Sequence, residues 1–432
     1  MTAAATTEPA REPAPVAVWV TRLLQAGALV FPALHPLVRH GGGTLWVLAC
    51  LGGLAWLWRA RRSGVPTWSA LGRDERLLLL ALLAIPAAFL LSLVNADDWT
   101  YAGPKLEKPL QVLLFPLAYL WVRGLGVDLG RAFLWGVMAA APVMLAVGVW
   151  QMAHGAQWAH GAYYRILYGD LALYYLALLV VADLVYLRGR LRWLGWAAMA
   201  CAFVAVLLSG TRGAWLAGIV FLPWALWCYR RVLSRRQWQW LGAGALLALT
   251  AVVLVPSPIQ DRLAQGFHDL QHLEEQPASS WAARYHLWRT AVAVWREHPW
   301  LGTGVGDLHQ ELERAAAEGR YPASTHYDHA HSLYFDALAT TGLVGLGALL
   351  AGFFLVPGWF FWRHWRGAGD DPYRRFLALG GLVGLAAFAL FGLTEAWFSR
   401  MHLTRAFLVH LWVFASALAV AGHSPRERHG SA

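Results

Sequence analysis

Long apolar runs follow one another along most of this chain, separated by short polar segments. Twelve of them are candidate membrane-spanning helices, near residues 16–38, 44–58, 77–95, 109–122, 132–152, 169–187, 193–210, 213–229, 239–256, 332–361, 376–394 and 404–421. About 20 apolar residues suffice to cross a hydrocarbon core of roughly 30 Å. The fourth run is short, and the tenth is long enough to tilt or to extend beyond the bilayer. The pattern predicts an all-α polytopic integral membrane protein, because transmembrane β-strands would alternate apolar and polar residues.

One polar segment interrupts this pattern. Residues 256–331 contain no credible spanning run, and an apolar helix begins immediately after them. The remaining chain divides into a cytoplasmic stretch at 1–15 that we expect to be disordered, nine spans within 16–255, three spans within 332–421, and a cytoplasmic tail at 422–432. In a protein whose other loops are short, so long a segment indicates where the chemistry takes place.

Composition agrees with a membrane protein. Of the 432 residues, 58% are hydrophobic and 14% are charged, whereas soluble domains usually carry about 25% charged residues. Cys50, Cys201 and Cys228 all lie in apolar segments, where buried thiols are the simplest interpretation. Most predicted spans are nearly free of ionisable residues, which argues against the ion path of a transporter or flippase.

The net charge of +10 reports topology rather than nucleic acid binding. Most arginines lie in alternate short loops, at 59–76, 123–131, 188–192, 230–236 and 363–375. Such enrichment marks the cytoplasmic side of the membrane. Both termini are then cytoplasmic, and the polar segment faces outward. The basic residues of the opposite short loops are Arg39, Lys105, Lys108, Arg165, Arg212, Arg400 and Arg405.

Two outward arginines suggest anion binding. Arg212 lies in a tight glycine-flanked break between two spans, beside the free N–H groups that begin the next helix. These donors and the arginine would together form an anion site, although an interfacial arginine snorkelling to headgroups is the alternative.

Arg284 belongs to a predicted amphipathic helix with Leu287 and Trp288, which either lies on the leaflet or packs on the bundle. A salt bridge or a solvated face is the alternative for Arg284.

Glycines and histidines follow in the same polar segment. The run GTGVG at 302–306 resembles a phosphate-binding loop, but no strand precedes it. It is either a flexible turn or a backbone nest that faces an anion.

His326, His329 and His331 flank Asp328. A neutral imidazole can accept a proton near neutral pH and act as a general base. A metal site and an ordinary polar loop are the alternatives.

The ordered set of motifs resembles the O-antigen ligase/polymerase superfamily of bacterial envelope enzymes. Its three elements are SGTRGA at 209–214, Arg284 with Trp288 followed by PWLGTGVG at 299–306, and HAHSLY at 329–334 followed by TGLVGL at 341–346. The similar stretch covers about residues 205–350. One position departs from the usual pattern, because Ser332 stands where the family usually has Asn. Either side chain can hydrogen-bond a neighbour.

Within the superfamily the resemblance is closest to O-antigen ligase, and it implies a reaction and a fold. The fold would be glycosyltransferase C-like, with a large, mainly helical periplasmic loop, in the bacterial inner membrane and with the active site facing the periplasm. The enzyme would transfer O-antigen polysaccharide from undecaprenyl pyrophosphate to a sugar hydroxyl of lipid A-core. The family is inverting and metal-independent, so no cofactor and no nucleic acid partner are implied; membrane lipids surround the site. An O-antigen polymerase and a ligase that glycosylates proteins are the alternatives.

The resemblance also assigns roles to residues. Arg212 and Arg284 match the family positions that stabilise the departing pyrophosphate. His331 is the first choice for the general base, and His329 is the second. Further candidates for substrate contacts are Lys105, Lys108 and Gly304, with ordinary surface charge as the alternative for the two lysines.

Overall fold

The computed structural model describes residues 15–230, 234–236, 238–239, 258–272, 280–319 and 327–422. Regular structure in these residues is helical. The α-helices are α1 (Pro15–Leu37), α2 (Gly41–Arg62), α3 (Arg73–Ser92), α4 (Trp99–Leu110), α5 (Phe115–Leu125), α6 (Gly130–Ala153), α7 (Arg165–Val185), α8 (Gly189–Leu208), α9 (Arg212–Tyr229), α10 (Pro258–Gln271), α11 (Ser280–Glu297), α12 (Leu308–Ala317), α13 (Leu333–Leu349), α14 (Val356–Arg366), α15 (Pro372–Phe391) and α16 (Met401–Ala421).

The helices confirm the prediction of an all-α polytopic membrane protein. Within the described residues, eight are long and apolar enough to cross a membrane: Gly41–Arg62, Arg73–Asn95, Gly130–Ala153, Arg165–Val185, Gly189–Leu208, Leu333–Arg366, Pro372–Phe391 and Met401–Ala421. The predicted runs near 16–38 and 213–229 are the helices α1 and α9. The short fourth run, near 109–122, covers the end of α4, the 3₁₀ turn Gln111–Leu114 and most of α5. The ninth run, the N-terminal stretch and the tail lie almost entirely outside the described residues, so twelve spans stay a prediction.

Two helices form the centre of the bundle. The spans of α7 and α16 are buried along nearly their whole length, and α7 packs against α8, α9 and α15. Small residues allow neighbouring helices to approach closely. A Cβ on Gly53 would lie 2.3 Å from the carbonyl oxygen of Leu117, and one on Gly136 would lie 2.2 Å from that of Leu29. Close backbone contact of this kind is how helices gain packing energy in lipid.

The described part of the polar segment is helical and packs on the bundle. Leu287, Ala291 and Val294 of α11 are buried in a small apolar cluster with residues of α12 and α13. Of the two expectations for this amphipathic helix, packing on protein is therefore the one observed for these three residues.

The glycine-rich turn after α11 is held against a break in α13. Gly342 has φ 61° and ψ −159° inside that helix, and a Cβ there would lie 2.3 Å from the carbonyl carbon of Trp300. The backbone hydrogen bonds that join the two segments run from Thr303 to Ala339 (3.0 Å), Gly304 to Thr340 (3.1 Å), Leu343 to Pro299 (2.9 Å) and Val344 to Trp300 (3.1 Å). Because the carbonyls freed by the break accept the N–H groups of Thr303 and Gly304, these two donors stabilise the fold and do not form a nest for an anion.

Candidate functional site

A cavity of about 220 Å³ lies where the polar segment meets one end of the bundle. Five parts of the chain that are distant in sequence line it: the start of α7, the turn into α9, the start of α11, the segment from Tyr327 to His331, and the turn after α15. The lining residues are Arg165, Ile166, Thr211, Arg212, Gly213, Trp281, Ala283, Arg284, Tyr327, His331, Thr394 and Glu395. Three arginines thus face one small space.

Arg212 begins α9, as the glycine-flanked break predicts. The Thr211 hydroxyl precedes it and donates to the carbonyl of Arg165 (2.9 Å), which ties the start of α9 to the start of α7. The Arg212 guanidinium donates to Asp269 (2.6 Å) and Gln265 (3.1 Å) of α10. The positive end of the helix dipole and a fixed guanidinium therefore coincide at the cavity, where both favour an anion.

Arg284 reaches the cavity from α11 and is mostly buried. Its Nε and Nη2 each donate to the carbonyl oxygen of Thr394 at 3.4 Å, and Nη2 lies 3.8 Å from the Glu395 carboxylate. Burial lowers the pKa of Arg284, and Glu395 opposes that shift. A guanidinium nevertheless stays charged in proteins. Several cations in one partly closed space repel one another, so a bound anion would stabilise this arrangement.

Glu395 supplies the negative charge of the cavity. Its side chain is buried, and burial raises its pKa while Arg284 and Arg400 oppose the shift. Within the described part of the chain, its Oε1 atom accepts no hydrogen bond. Asp170 of α7 is buried as well, and its two oxygens accept none from described residues. This end of the bundle therefore retains unused hydrogen-bonding capacity.

His331 lies in the cavity wall in a strained conformation. Its φ of 47° places a residue with a side chain in the left-handed region, which costs on the order of 1–3 kcal/mol and concentrates at functional sites. Burial, aided by the charges of His329 and Arg284, lowers its pKa to about 3. The imidazole is thus neutral at neutral pH, and among described residues its Nδ1 has no hydrogen-bond partner. A neutral imidazole can accept a proton.

His329 lies behind His331 and outside the cavity lining. The two ring centroids are 4.2 Å apart. His329 Nδ1 pairs with Asp328 Oδ1 at 2.6 Å, and Lys105 Nζ donates to Asp328 Oδ2 at 2.5 Å. The hydrogen bonds from His329 and Lys105 hold the pKa of Asp328 well below its usual range. The carboxylate is therefore ionised and orients His329.

The three further candidates for substrate contacts do not line the cavity. Lys105 binds Asp328, and Lys108 donates to the carbonyl of Ser399 at 2.8 Å. Gly304 packs against Ala96, where an added Cβ would lie 2.6 Å from the Ala96 Cα. All three contact protein groups that lie outside the cavity lining.

Ser332 anchors the histidine motif to the bundle. Its side chain is fully buried, and its hydroxyl donates to the carbonyl of Gly392 at 3.2 Å. The N–H of Leu333 donates to the same carbonyl at 2.8 Å. The residue that replaces the usual Asn thus forms a hydrogen bond with a neighbour.

Sequence reasoning missed two residues of the cavity, Arg165 and Glu395. A signal existed for each. Arg165 is one of the few basic residues on the outward side, where positive charge is disfavoured. Glu395 is a carboxylate in a short turn between two apolar spans.

The histidine motif also raised the alternative of a metal site. Among described residues, no group of three or more His, Cys, Asp or Glu side chains is placed to hold a metal ion. His326 lies outside the described part of the chain.

Together, fold and site define a polytopic helical membrane protein with a cationic cavity at one end of its bundle. Residues 197–350 match the family model described as O-Antigen ligase, which confirms the resemblance to the O-antigen ligase superfamily. The matched region contains Arg212, Arg284 and His331. The family implies a glycosyltransferase-like enzyme that acts on polysaccharide–lipid substrates. An uncharacterized protein of Haemophilus influenzae is 24% identical over 300 residues, which cover 67% of this chain and 74% of that protein.

Proposed function

We propose that this protein is an O-antigen ligase that transfers O-antigen polysaccharide from undecaprenyl pyrophosphate to a sugar hydroxyl of lipid A-core. The enzyme lies in the bacterial inner membrane, and its cavity faces the periplasm. One observation carries the proposal: a single cavity joins Arg212 and Arg284, which lie on different helices, to the neutral His331. Anion-binding groups and a base within one small space are the two requirements of this transfer.

The arginines act on the donor. The bond between the anomeric carbon and the pyrophosphate oxygen breaks, and its electron pair leaves with the pyrophosphate. Negative charge therefore grows on the leaving group in the transition state. Arg212 and Arg284 stabilise that charge, assisted by Arg165 and by the N-terminus of α9. Glu395 and the carbonyl of Thr394 hold the Arg284 guanidinium in place.

His331 acts on the acceptor. Its neutral imidazole accepts the proton of the sugar hydroxyl while that oxygen forms the new bond to the anomeric carbon. Attack occurs on the face opposite the pyrophosphate, so the configuration of the anomeric carbon is inverted. His329, fixed by Asp328, supports the ring of His331 from behind.

Ligation in vitro tests the proposal. Purified protein, lipid-linked O-antigen and rough lipopolysaccharide should form a ladder of ligated products in the presence of EDTA. Product that forms only on metal addition would overturn the proposed role of His331. Lengthened lipid-linked polymer without attachment to lipopolysaccharide would identify a polymerase instead.

A variant links the reaction to the cavity. His331→Ala should abolish the ladder while expression is retained, because it removes the base. His298→Ala is the matched control, since His298 is exposed and does not line the cavity. Ladders of wild-type intensity from His331→Ala would exclude it as the base.

A further inference from the structure

A second cavity, of about 450 Å³, lies at the end of the bundle opposite to the cationic cavity. Helix α15 joins the two ends, because Arg374 near its start lines the second cavity and Thr394, shortly after its end, lines the first. This helix has 20 residues, which is about 30 Å at a rise of 1.5 Å per residue and matches the thickness of a hydrocarbon core. The second cavity therefore lies at the other face of the membrane.

Positive charge predominates in the lining of the second cavity. Its charged and titratable residues are Arg73, Arg363, Arg374, His364, Asp74 and Glu75. Outside the lining, Arg123 Nε and the Tyr119 hydroxyl donate to Glu75 Oε1 at 3.0 Å and 2.8 Å. Asp74 is then the remaining carboxylate for three arginines, and a cleft with such an excess of one sign attracts ions of the other.

Two of these arginines have donors available to a ligand. Arg363 Nη1 donates to Asp74 Oδ1 at 3.1 Å, which uses one of the five N–H donors of a guanidinium. Among described residues, the side chain of Arg374 forms no ion pair, and its buried Nε has no hydrogen-bond partner. A guanidinium matches the oxygens of a phosphate with paired N–H donors. The lining therefore suits a phosphate group.

The residues beside the second cavity set its depth in the membrane. On α14, Trp359 is 41% exposed and its ring centroid lies 5.5 Å from the Arg363 guanidinium. Exposed tryptophans favour the level of the lipid headgroups. On α3, the exposed Leu77 and Leu80 follow Arg73 at i+4 and i+7, on the same helix face. Each helix thus places an arginine at the cavity and apolar side chains on the membrane side of it.

We propose that the second cavity binds the phosphate of an anionic membrane phospholipid, whose acyl chains lie along the exposed faces of α3 and α14. The topology predicted from the loop arginines puts this lipid in the cytoplasmic leaflet, where anionic lipids attract basic residues. A lipid fits better than a free phosphate, because apolar faces begin directly at the cationic lining. The lipid takes no part in the transfer reaction, so this inference does not depend on the proposed function.

Two pairs of arginines provide matched variants. Arg363→Gln combined with Arg374→Gln removes two charges from the lining. Arg366→Gln combined with Arg375→Gln removes two charges from the same helices, α14 and α15, at positions that do not line the cavity. Arg363→Lys combined with Arg374→Lys keeps the charge of the lining and loses the paired N–H donors.

Native mass spectrometry measures the binding. Protein in a neutral detergent is titrated with phosphatidylglycerol or with phosphatidylcholine, and the Kd of the first bound lipid is compared. We expect the wild type to bind phosphatidylglycerol about tenfold more tightly than phosphatidylcholine. The preference should disappear when the lining pair is changed to Gln, persist in the control pair, and persist in part in the Lys pair. Equal affinity of the wild type for the two lipids, or equal loss in both Gln pairs, would overturn the inference.

Competition and labelling identify the source of the phosphate. Inorganic phosphate and glycerophosphoglycerol, which is the headgroup without acyl chains, should leave bound phosphatidylglycerol in place. Displacement by inorganic phosphate would show that the cavity takes a free phosphate and would exclude the lipid. Phosphatidylglycerol with a diazirine in its acyl chain should label α3 and α14 of the wild type in nanodiscs. Labels spread evenly over the other helices would contradict the site.

Discussion

The two ends of α7 each carry a buried aspartate, and the surroundings of these aspartates differ. Asp183 accepts hydrogen bonds from Arg192 Nε (2.8 Å), Trp196 Nε1 (3.0 Å) and the Tyr229 hydroxyl (2.7 Å). Asp170, at the cavity end, accepts none from the described residues.

The difference separates structural polar groups from functional ones. Buried polar groups in proteins are almost always hydrogen-bonded, and Asp183 follows this rule by joining α7, α8 and α9. Around the cavity, within the described part of the chain, both Asp170 oxygens, Glu395 Oε1 and His331 Nδ1 depart from this rule. Buried polar atoms that no described residue hydrogen-bonds, together with a strained backbone, are typical of a functional site.

The largest effect should come from the cavity end. Arg284→Ala should lower kcat for ligation by about 10²–10³-fold, because it removes a donor that stabilises charge on the leaving group. Thermal stability should change little, since Glu395 can be protonated once its cation is lost. Initial rates and thermal melting in detergent measure the two quantities.

Arg289→Ala is the matched control, because Arg289 lies on the same helix, is exposed and does not line the cavity. Arg284→Lys should recover part of the rate by restoring the charge without the planar fork. Wild-type rates from Arg284→Ala would show that its charge is not used in the reaction.

Substitution of Asp183, at the opposite end of α7, should change stability more than activity. Asp183→Ala leaves three donor side chains without their acceptor and should reduce the free energy of unfolding by about 2–3 kcal/mol. Activity per folded molecule should stay near that of the wild type. Asp183→Asn keeps one acceptor oxygen, so its free energy of unfolding should lie between those of the wild type and Asp183→Ala. A loss of kcat at unchanged stability would invalidate the structural assignment of Asp183.

The pH dependence of kcat/KM tests the environment of His331. Since burial lowers its pKa to about 3, the imidazole stays neutral as the pH falls from 7 to 5, and kcat/KM should stay nearly constant. With a histidine at its ordinary pKa of about 6.5, kcat/KM would fall about 25-fold over this range. Such a loss in the wild type would contradict the buried, neutral state.

The free energy of unfolding, unlike kcat/KM, should depend on pH. Between pH 6.5 and about 3 the unfolded chain binds a proton at His331 that the folded protein does not, so the free energy of unfolding falls as the pH falls. His331→Asn should reduce this dependence, because it removes the titrating group and Asn tolerates the left-handed conformation. Melting curves across this pH range provide the measurement.

Helix positions could be predicted from the sequence because lipid imposes a strong pattern on every span. Arg212 could be singled out for a related reason, since basic residues are rare in the outward short loops, whereas Arg284 stood out among the arginines of the polar segment by its family motif. His331 was recognisable by its motif. Each of these signals lies within one short stretch of chain.

Properties that depend on distant parts of the chain could not be predicted. The N–H groups of Thr303 and Gly304 bond carbonyls 36 residues later, so the turn resembled a phosphate loop in sequence alone. Arg165 and Glu395 join the cavity only after α7 and the turn after α15 converge. The sequence makes Lys105 a candidate for substrate contacts, since its partner, Asp328, lies 223 residues away along the chain.

The smallest effect should come from the ion pair between Lys105 and Asp328, which combines a structural contact with an indirect link to the cavity. Lys105–Asp328 is a partly exposed ion pair, with the Asp328 side chain 51% exposed, and pairs of this kind contribute about 0–1 kcal/mol. Because Asp328 orients His329 behind His331, Lys105→Ala should lower kcat up to about fivefold and leave the KM for the lipid A-core acceptor unchanged. Lys108→Ala removes a neighbouring lysine that donates to the Ser399 carbonyl and should have less effect on kcat. If Lys105→Ala instead raised the KM for the acceptor at constant kcat, the lysine would contact the acceptor. Its ion pair with Asp328 would then belong with the substrate-binding groups of the cavity and not with structural contacts such as those of Asp183.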